Sequence, residues 1–166
     1  MAALNPFEIF GLAPKFDLDE DQLQKKYLEV QRKVHPDRFA SASDAEKRVA
    51  EQWAALINDA YHKLNDPVER GKLLCSMKGV VVDGERSGTL DETFLFDQLE
   101  RREAIADVKA AADSAELDRL KKEIESERQD LIRRVKEALD DKSDAALAAE
   151  EIKKIMFLNR QLQDFS

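Results

Sequence analysis

Pro36 constrains this chain more than any other residue, because it interrupts a stretch that is otherwise patterned for helix. Before it, Leu23, Tyr27, Val30 and Val34 recur at i, i+4, i+7 and i+11, the spacing of one helix face. After it, Val49, Trp53, Leu56, Ile57, Ala60 and Leu64 repeat the pattern and are expected to be the buried face of a second helix. Proline has no amide donor and biases the preceding residue, His35, away from the α region. The helices therefore fold back as a hairpin, and His35-Pro36-Asp37 stands on a short, stiff loop at its tip.

The flanking punctuation agrees. Asn5-Pro6 starts a short helix that carries Phe7 and Phe10 and stops at Gly11. Asp17 or Asp19 caps the helix that ends near Val34, whose other face carries Lys25, Lys26, Arg32 and Lys33. Ser43 and Glu46 form a capping box, and Asp66-Pro67 ends the helix that follows. Val68–Lys78 reads as a connecting helix ended by Gly79. Val80-Val81-Val82 has no partner strand in the sequence and reads as an apolar loop. The turn-rich window Gly84–Gly88 marks the start of a second module.

That module has three helical segments, roughly Leu90–Ala112, Ala115–Asp140 and Asp144–Gln163, separated by short polar breaks that imply antiparallel neighbours. The middle segment is heptad-like through Leu117, Leu120, Ile124, Leu131, Val135 and Ala138. The last places Ala148, Ile152, Ile155 and Leu162 on one stripe. The fold class expected is all-α: a helical hairpin module over 1–78, a linker over 79–88 and a three-helix bundle over 89–166.

Composition narrows the function. A charged fraction of 37% with only 5 glycines and 4 prolines suits long surface helices. A net charge of −8 argues against a nucleic-acid partner, which needs a basic face for phosphates. The single cysteine, Cys75, excludes an internal disulfide framework and a Cys-rich zinc module, and its place beside Leu74 suggests a buried, inert thiol. No apolar run approaches membrane-spanning length, and Met1–Pro6 does not resemble a signal or transit peptide, so a cytoplasmic location is expected.

The tip admits three readings: a turn that happens to hold a histidine, a catalytic dyad of His35 and Asp37, or a docking surface. Catalysis lacks support, because no Ser or Cys nucleophile, glycine-rich loop or second histidine is placed to complete a site, and His62 belongs to the following helix. A metal site fails on ligand count, since His35, Asp37 and Cys75 show no ligand spacing. A stiff loop beside a basic helix face suits docking on an acidic partner.

A second surface is legible in the bundle. At about 100° per residue, Phe94, Leu95, Leu99, Ile105 and Ala106 fall on one arc. Phe96 lies outside it, in line with Glu100, Glu103 and Asp107, and Phe157 is similarly off the stripe of the last helix. Each phenylalanine either covers a neighbouring helix or forms an apolar hot spot ringed by acids.

A short helix, a basic helix, His35-Pro36-Asp37, then a helix with Asn58 and Tyr61 ending in Asp66-Pro67 resembles a J-domain. More narrowly, Asn5–Leu12, His35-Pro36-Asp37-Arg38-Phe39, Ile57–Tyr61 and Phe94–Glu103 resemble the HscB family, co-chaperones of iron–sulfur cluster assembly. Arg38-Phe39 separates it from general J-domains, which usually follow the triad with a basic residue and Asn. The resemblance implies an L-shaped pair of helical domains with no catalytic activity and no cofactor of its own. It implies that His35, Pro36 and Asp37, with Tyr27, Arg32 and Lys33, bind a DnaK-class chaperone of the HscA type and trigger its ATP hydrolysis. Leu28 and Glu29 stand where general J-domains often carry basic residues, which favours a dedicated chaperone partner. It further implies that Leu95, Phe96, Leu99, Glu100, Glu103, Asp107 and Phe157 bind the scaffold protein IscU, although the family often has Met where this chain has Phe96. Weak self-association through the second module stays open. A general client-holding J-protein lacks support, since there is no glycine/phenylalanine-rich linker and no zinc-binding cysteine set.

Overall fold

The computed structural model describes residues 4–82 and 90–165, so the turn-rich window and residues 83–88 of the expected linker lie outside the described residues. Among the described residues there are helices and no strand. The helices are α1 Pro6–Ile9, α2 Glu20–Val34, α3 Asp44–Asn65, α4 Pro67–Met77, α5 Glu92–Ala110, α6 Ser114–Lys136 and α7 Ala145–Gln163. A single 3₁₀ turn, Pro36–Phe39, joins α2 to α3, and a widened π turn, Glu137–Asp141, follows α6. The chain divides into two compact units, 1–74 and 75–166.

In the first unit, α2 and α3 form the hairpin and α1 braces α3. The caps are local. The Asn5 side chain accepts from the Glu8 amide, Asp19 from Asp21 and Gln22, and Ser43 from Glu46. Asp66 closes α3 in extended backbone while its carboxylate accepts from the Val68 amide, so one residue ends one helix and begins the next. Phe7, Phe10, Phe16, Leu23, Ile57, Ala60 and Leu64 form the core. Arg70 is buried with them: its Nε donates to the Phe16 carbonyl at 2.8 Å and the guanidinium lies 4.8 Å from the Phe16 ring centroid.

One expectation about α3 is corrected. Val49, Trp53 and Leu56 stand exposed, and Ala50 is buried in their place. The apolar arc of α3 is wider than the hairpin can cover, because α2 and α1 meet only the side that carries Ala50, Ile57, Ala60 and Leu64.

In the second unit α6 packs along α7 and α5 lies on α6. Leu120, Ile124, Leu131, Val135 and Ala138 face Ala148, Ile152, Ile155 and Leu158 in a buried seam, while Leu117 and Leu162 reach only half-burial. A buried Leu or Ile of this kind contributes roughly 1.5–3 kcal/mol relative to exposure. Cys75 is buried in this unit, its thiol 3.6 Å from the Ala145 carbonyl. Burial pushes that thiol above its ordinary pKa, against a smaller opposing effect of Lys78.

Candidate functional site

At the hairpin tip, α2 stops because His35 turns to extended backbone (φ −60°, ψ 136°) ahead of Pro36. The His35 ring then caps the 3₁₀ turn: its Nδ1 accepts from the Asp37 amide at 3.2 Å. An Nδ1 that accepts carries no proton, so in the neutral ring the proton sits on Nε2. The Asp37 carboxylate lies 3.6 Å from Nδ1, and its side chain is 94% exposed. Phe39, half-buried, lines a hollow of about 80 Å³ with Pro36, Lys47, Ala50 and Glu51, which seats the turn against α3. The tip thus holds its backbone with His35, Pro36 and Phe39 and presents an exposed carboxylate.

Arg32 and Lys33 are exposed in the last turn of α2, next to the tip, where cations also meet the negative end of the helix dipole. Tyr27 is placed differently from these. It is half-buried, its ring stacks on Tyr61 at 4.2 Å, and its hydroxyl donates to Asn58 Oδ1 at 2.5 Å. Tyr27, Asn58 and Tyr61 therefore tie α2 to α3, and they fix where the tip points.

On α5, the buried line is Phe94, Gln98 and Ile105 at i, i+4 and i+11. Leu95, Leu99 and Ala106, which the helical wheel groups with Phe94 and Ile105, stand exposed instead. The reason is a polar lock that the apolar pattern does not reveal. Gln98 is 2% exposed, and its Oε1 accepts from Arg101 at 2.9 Å. Arg101 in turn donates to Glu127 at 2.6 Å and to Glu123 at 3.4 Å on α6. This lock turns the Gln98–Arg101 side of α5 inward and rotates Leu95 and Leu99 out.

The outward face consequently carries Leu95, Phe96, Leu99, Glu100, Glu103 and Asp107 together, all exposed, with Phe96 at 61%. Phe157 of α7 is half-buried and meets Phe94 edge-on at 5.9 Å, so it covers a neighbouring helix as well as reaching the surface. Leu95, Leu99 and Phe157 line a groove of about 470 Å³ with Gln98, Arg102, Arg160, Gln161 and Asp164. Sequence periodicity misses Gln98, Arg101, Arg102 and Gln161. A signal was present in the buried line itself, since i+4 and i+7 from Phe94 are Gln98 and Arg101.

Residues 90–165 match the family described as the HSCB C-terminal oligomerisation domain. The chain is 44% identical over 154 residues to the co-chaperone protein HscB homolog of Burkholderia thailandensis, covering 93% of this chain and 87% of that one. The chain belongs to the HscB family of co-chaperones. The HscB homolog of Bordetella pertussis is 39% identical over 166 residues, covering 100% of this chain and 96% of the relative. Among solved structures, HscB from Vibrio cholerae superposes with a TM-score of 0.86 at 33% identity, over 98% of this chain and 95% of that one. The human co-chaperone HscB superposes with a TM-score of 0.92 at 25% identity, over 99% and 82%. The HscB assignment covers both units, and with them the tip and the α5 face. No helix among the described residues is long and apolar enough to cross a membrane.

Proposed function

We propose that this HscB-type co-chaperone serves iron–sulfur cluster assembly by bridging two proteins. The α5 face, Leu95, Phe96, Leu99, Glu100, Glu103 and Asp107 with Phe157 of α7, binds an IscU-type scaffold. The tip, His35-Pro36-Asp37 with Arg32 and Lys33, docks on an HscA-type chaperone of the DnaK class and accelerates its ATP hydrolysis. Tyr27 contributes by holding the hairpin in register.

The observation that carries this reading is the Asp37 carboxylate, almost fully exposed on a turn whose backbone is held on both sides. A carboxylate carried on a held backbone can engage a basic group of the chaperone without the loop itself having to be ordered. The scaffold site suits a partner that offers both basic and apolar groups, because its aromatic and two leucines are bordered by acids. The two surfaces lie on different units, and a chain that holds both partners raises the effective concentration of each for the other.

The test is a pull-down of the scaffold combined with measurement of chaperone ATPase rate, with Asp37→Asn and Phe96→Ala in parallel. Asp37→Asn is expected to lower the stimulation by about tenfold or more, the worth of a charge-assisted hydrogen bond, and to leave scaffold capture intact. Phe96→Ala is expected to do the reverse. Full ATPase stimulation by Asp37→Asn would sink the assignment of the tip.

A further inference from the structure

The groove between α5 and α7 contains a group that neither the acidic stripe nor the fold accounts for. Gln161 is 6% exposed, and its Oε1 is enclosed with no hydrogen-bond donor among the described residues. Buried amide oxygens nearly always have a donor, so a missing one calls for a reason. Gln161 lines the groove together with Leu95, Leu99 and Phe157, which supply an apolar lining beside it. On the α5 wheel, Leu95 and Leu99 adjoin the arc of Phe96, Glu103 and Asp107, so groove and stripe are one continuous face.

We propose that Gln161 is a specificity-determining residue of the scaffold site. An apolar side chain of the scaffold enters the groove against Leu95, Leu99 and Phe157, and a neutral donor beside it, a backbone amide or a hydroxyl, is bound by the Gln161 amide oxygen. The terminal amide torsion of glutamine is soft, so the oxygen can turn toward the incoming donor without moving the helix. A neutral donor suits the groove because its lining sets two arginines, Arg102 and Arg160, against one acid, Asp164, and so offers a lysine or arginine no net attraction. Cationic groups of the scaffold go instead to Glu100, Glu103 and Asp107 on the adjoining arc. The site therefore divides the work: the acids attract and orient a basic partner, and Gln161 rejects an apolar group that arrives without its donor.

This inference rests on the scaffold reading of α5, and the experiment separates the two. Full-length wild type, Gln161→Met and Phe96→Ala are each titrated calorimetrically with the purified metal-free scaffold protein, and their melting temperatures are measured. Methionine keeps nearly the volume of glutamine and removes the donorless oxygen. Gln161→Met is expected to melt at or above the wild-type temperature and to bind the scaffold about tenfold more weakly. In the wild type, the nuclear magnetic resonance signals of the Gln161 side-chain amide should shift when the scaffold is added. Wild-type binding by Gln161→Met, with weak binding by Phe96→Ala, overturns the role of Gln161 and leaves the scaffold face standing. Wild-type binding by both variants overturns the scaffold reading and this inference with it. A lower melting temperature with an unshifted amide signal assigns Gln161 to the fold alone and overturns the proposal.

Discussion

The Arg101 lock makes a quantitative prediction about how α5 is held. Arg101 is 12% exposed at its side chain and joins Gln98 on its own helix to Glu127 and Glu123 on α6. Arg101→Ala leaves the Gln98 oxygen, at 2% exposure, without that donor. An unsatisfied buried acceptor costs about 1–3 kcal/mol. Glu127 is 31% exposed and can rehydrate, so the lost ion pair adds only about 0.5 kcal/mol. A loss of about 1.5–3.5 kcal/mol is therefore expected. With a urea dependence of about 2 kcal/mol per molar, the unfolding midpoint of the second unit falls by roughly 1 M. Far-ultraviolet circular dichroism follows the helices of both units, while the fluorescence of Trp53, the only tryptophan of the chain, reports the first unit alone. The part of the dichroism change without a fluorescence counterpart therefore belongs to the second unit. A double-mutant cycle with Glu127→Gln should return a favourable coupling of about 1 kcal/mol. An unchanged dichroism midpoint for Arg101→Ala would show that α5 is oriented by its apolar residues after all.

Other outcomes follow from single contacts. Tyr27→Phe keeps the ring stack on Tyr61 but removes the bond to Asn58, so urea unfolding should show a loss of about 1 kcal/mol, with chaperone stimulation reduced only as far as the tip loses its aim. Ala112 sits at φ 53° where the Asp113 amide bonds the Val108 carbonyl and the Ala112 amide bonds Lys109, a helix end that glycine favours. Ala112→Gly should accordingly raise stability by about 1 kcal/mol in thermal unfolding. Ile124→Ala, at a fully buried position of the α6–α7 seam, should cost about 2–5 kcal/mol in the same assay. The Cys75 thiol, whose pKa burial raises, should resist a thiol-specific reagent in the native protein and react on unfolding. The sign of its pH effect follows. Above the ordinary thiol pKa the unfolded chain ionises first, so Cys75 makes stability fall as pH rises through the alkaline range, and Cys75→Ala should flatten that fall.

The positions of the helix ends were open to reading because their causes are local. Gly11 and Gly79 sit at positive φ after α1 and α4, and each supports the paired carbonyl bonds that close a helix. Asn5, Asp19, Ser43 and Asp66 cap with their own side chains within three residues. Ala112 and Ser143 occupy the same left-handed backbone without glycine, and nothing local announces that they would. The tip was equally local, since Pro36 acts on His35 directly and the His35 ring reaches only as far as the Asp37 amide. Helix faces were harder. Trp53 and Leu56 lie on an arc that periodicity assigns to the core, and whether an arc is covered depends on elements distant in sequence.

By itself, then, the sequence determined the all-helical class, most of the helix boundaries and the stiff tip with its exposed carboxylate. Each of these follows from dihedral preference, capping or composition, which act over a few residues. Tertiary structure decided which face of α5 looks outward. That orientation comes from one arginine binding two acids 22 and 26 residues away, and it brings Leu95 and Leu99 beside Phe157 and Gln161 of α7. The polar side of α5 can face inward because Gln98 and Arg101 find partners there, while Leu95 and Leu99, 40% and 56% exposed, keep part of their surface covered in the groove.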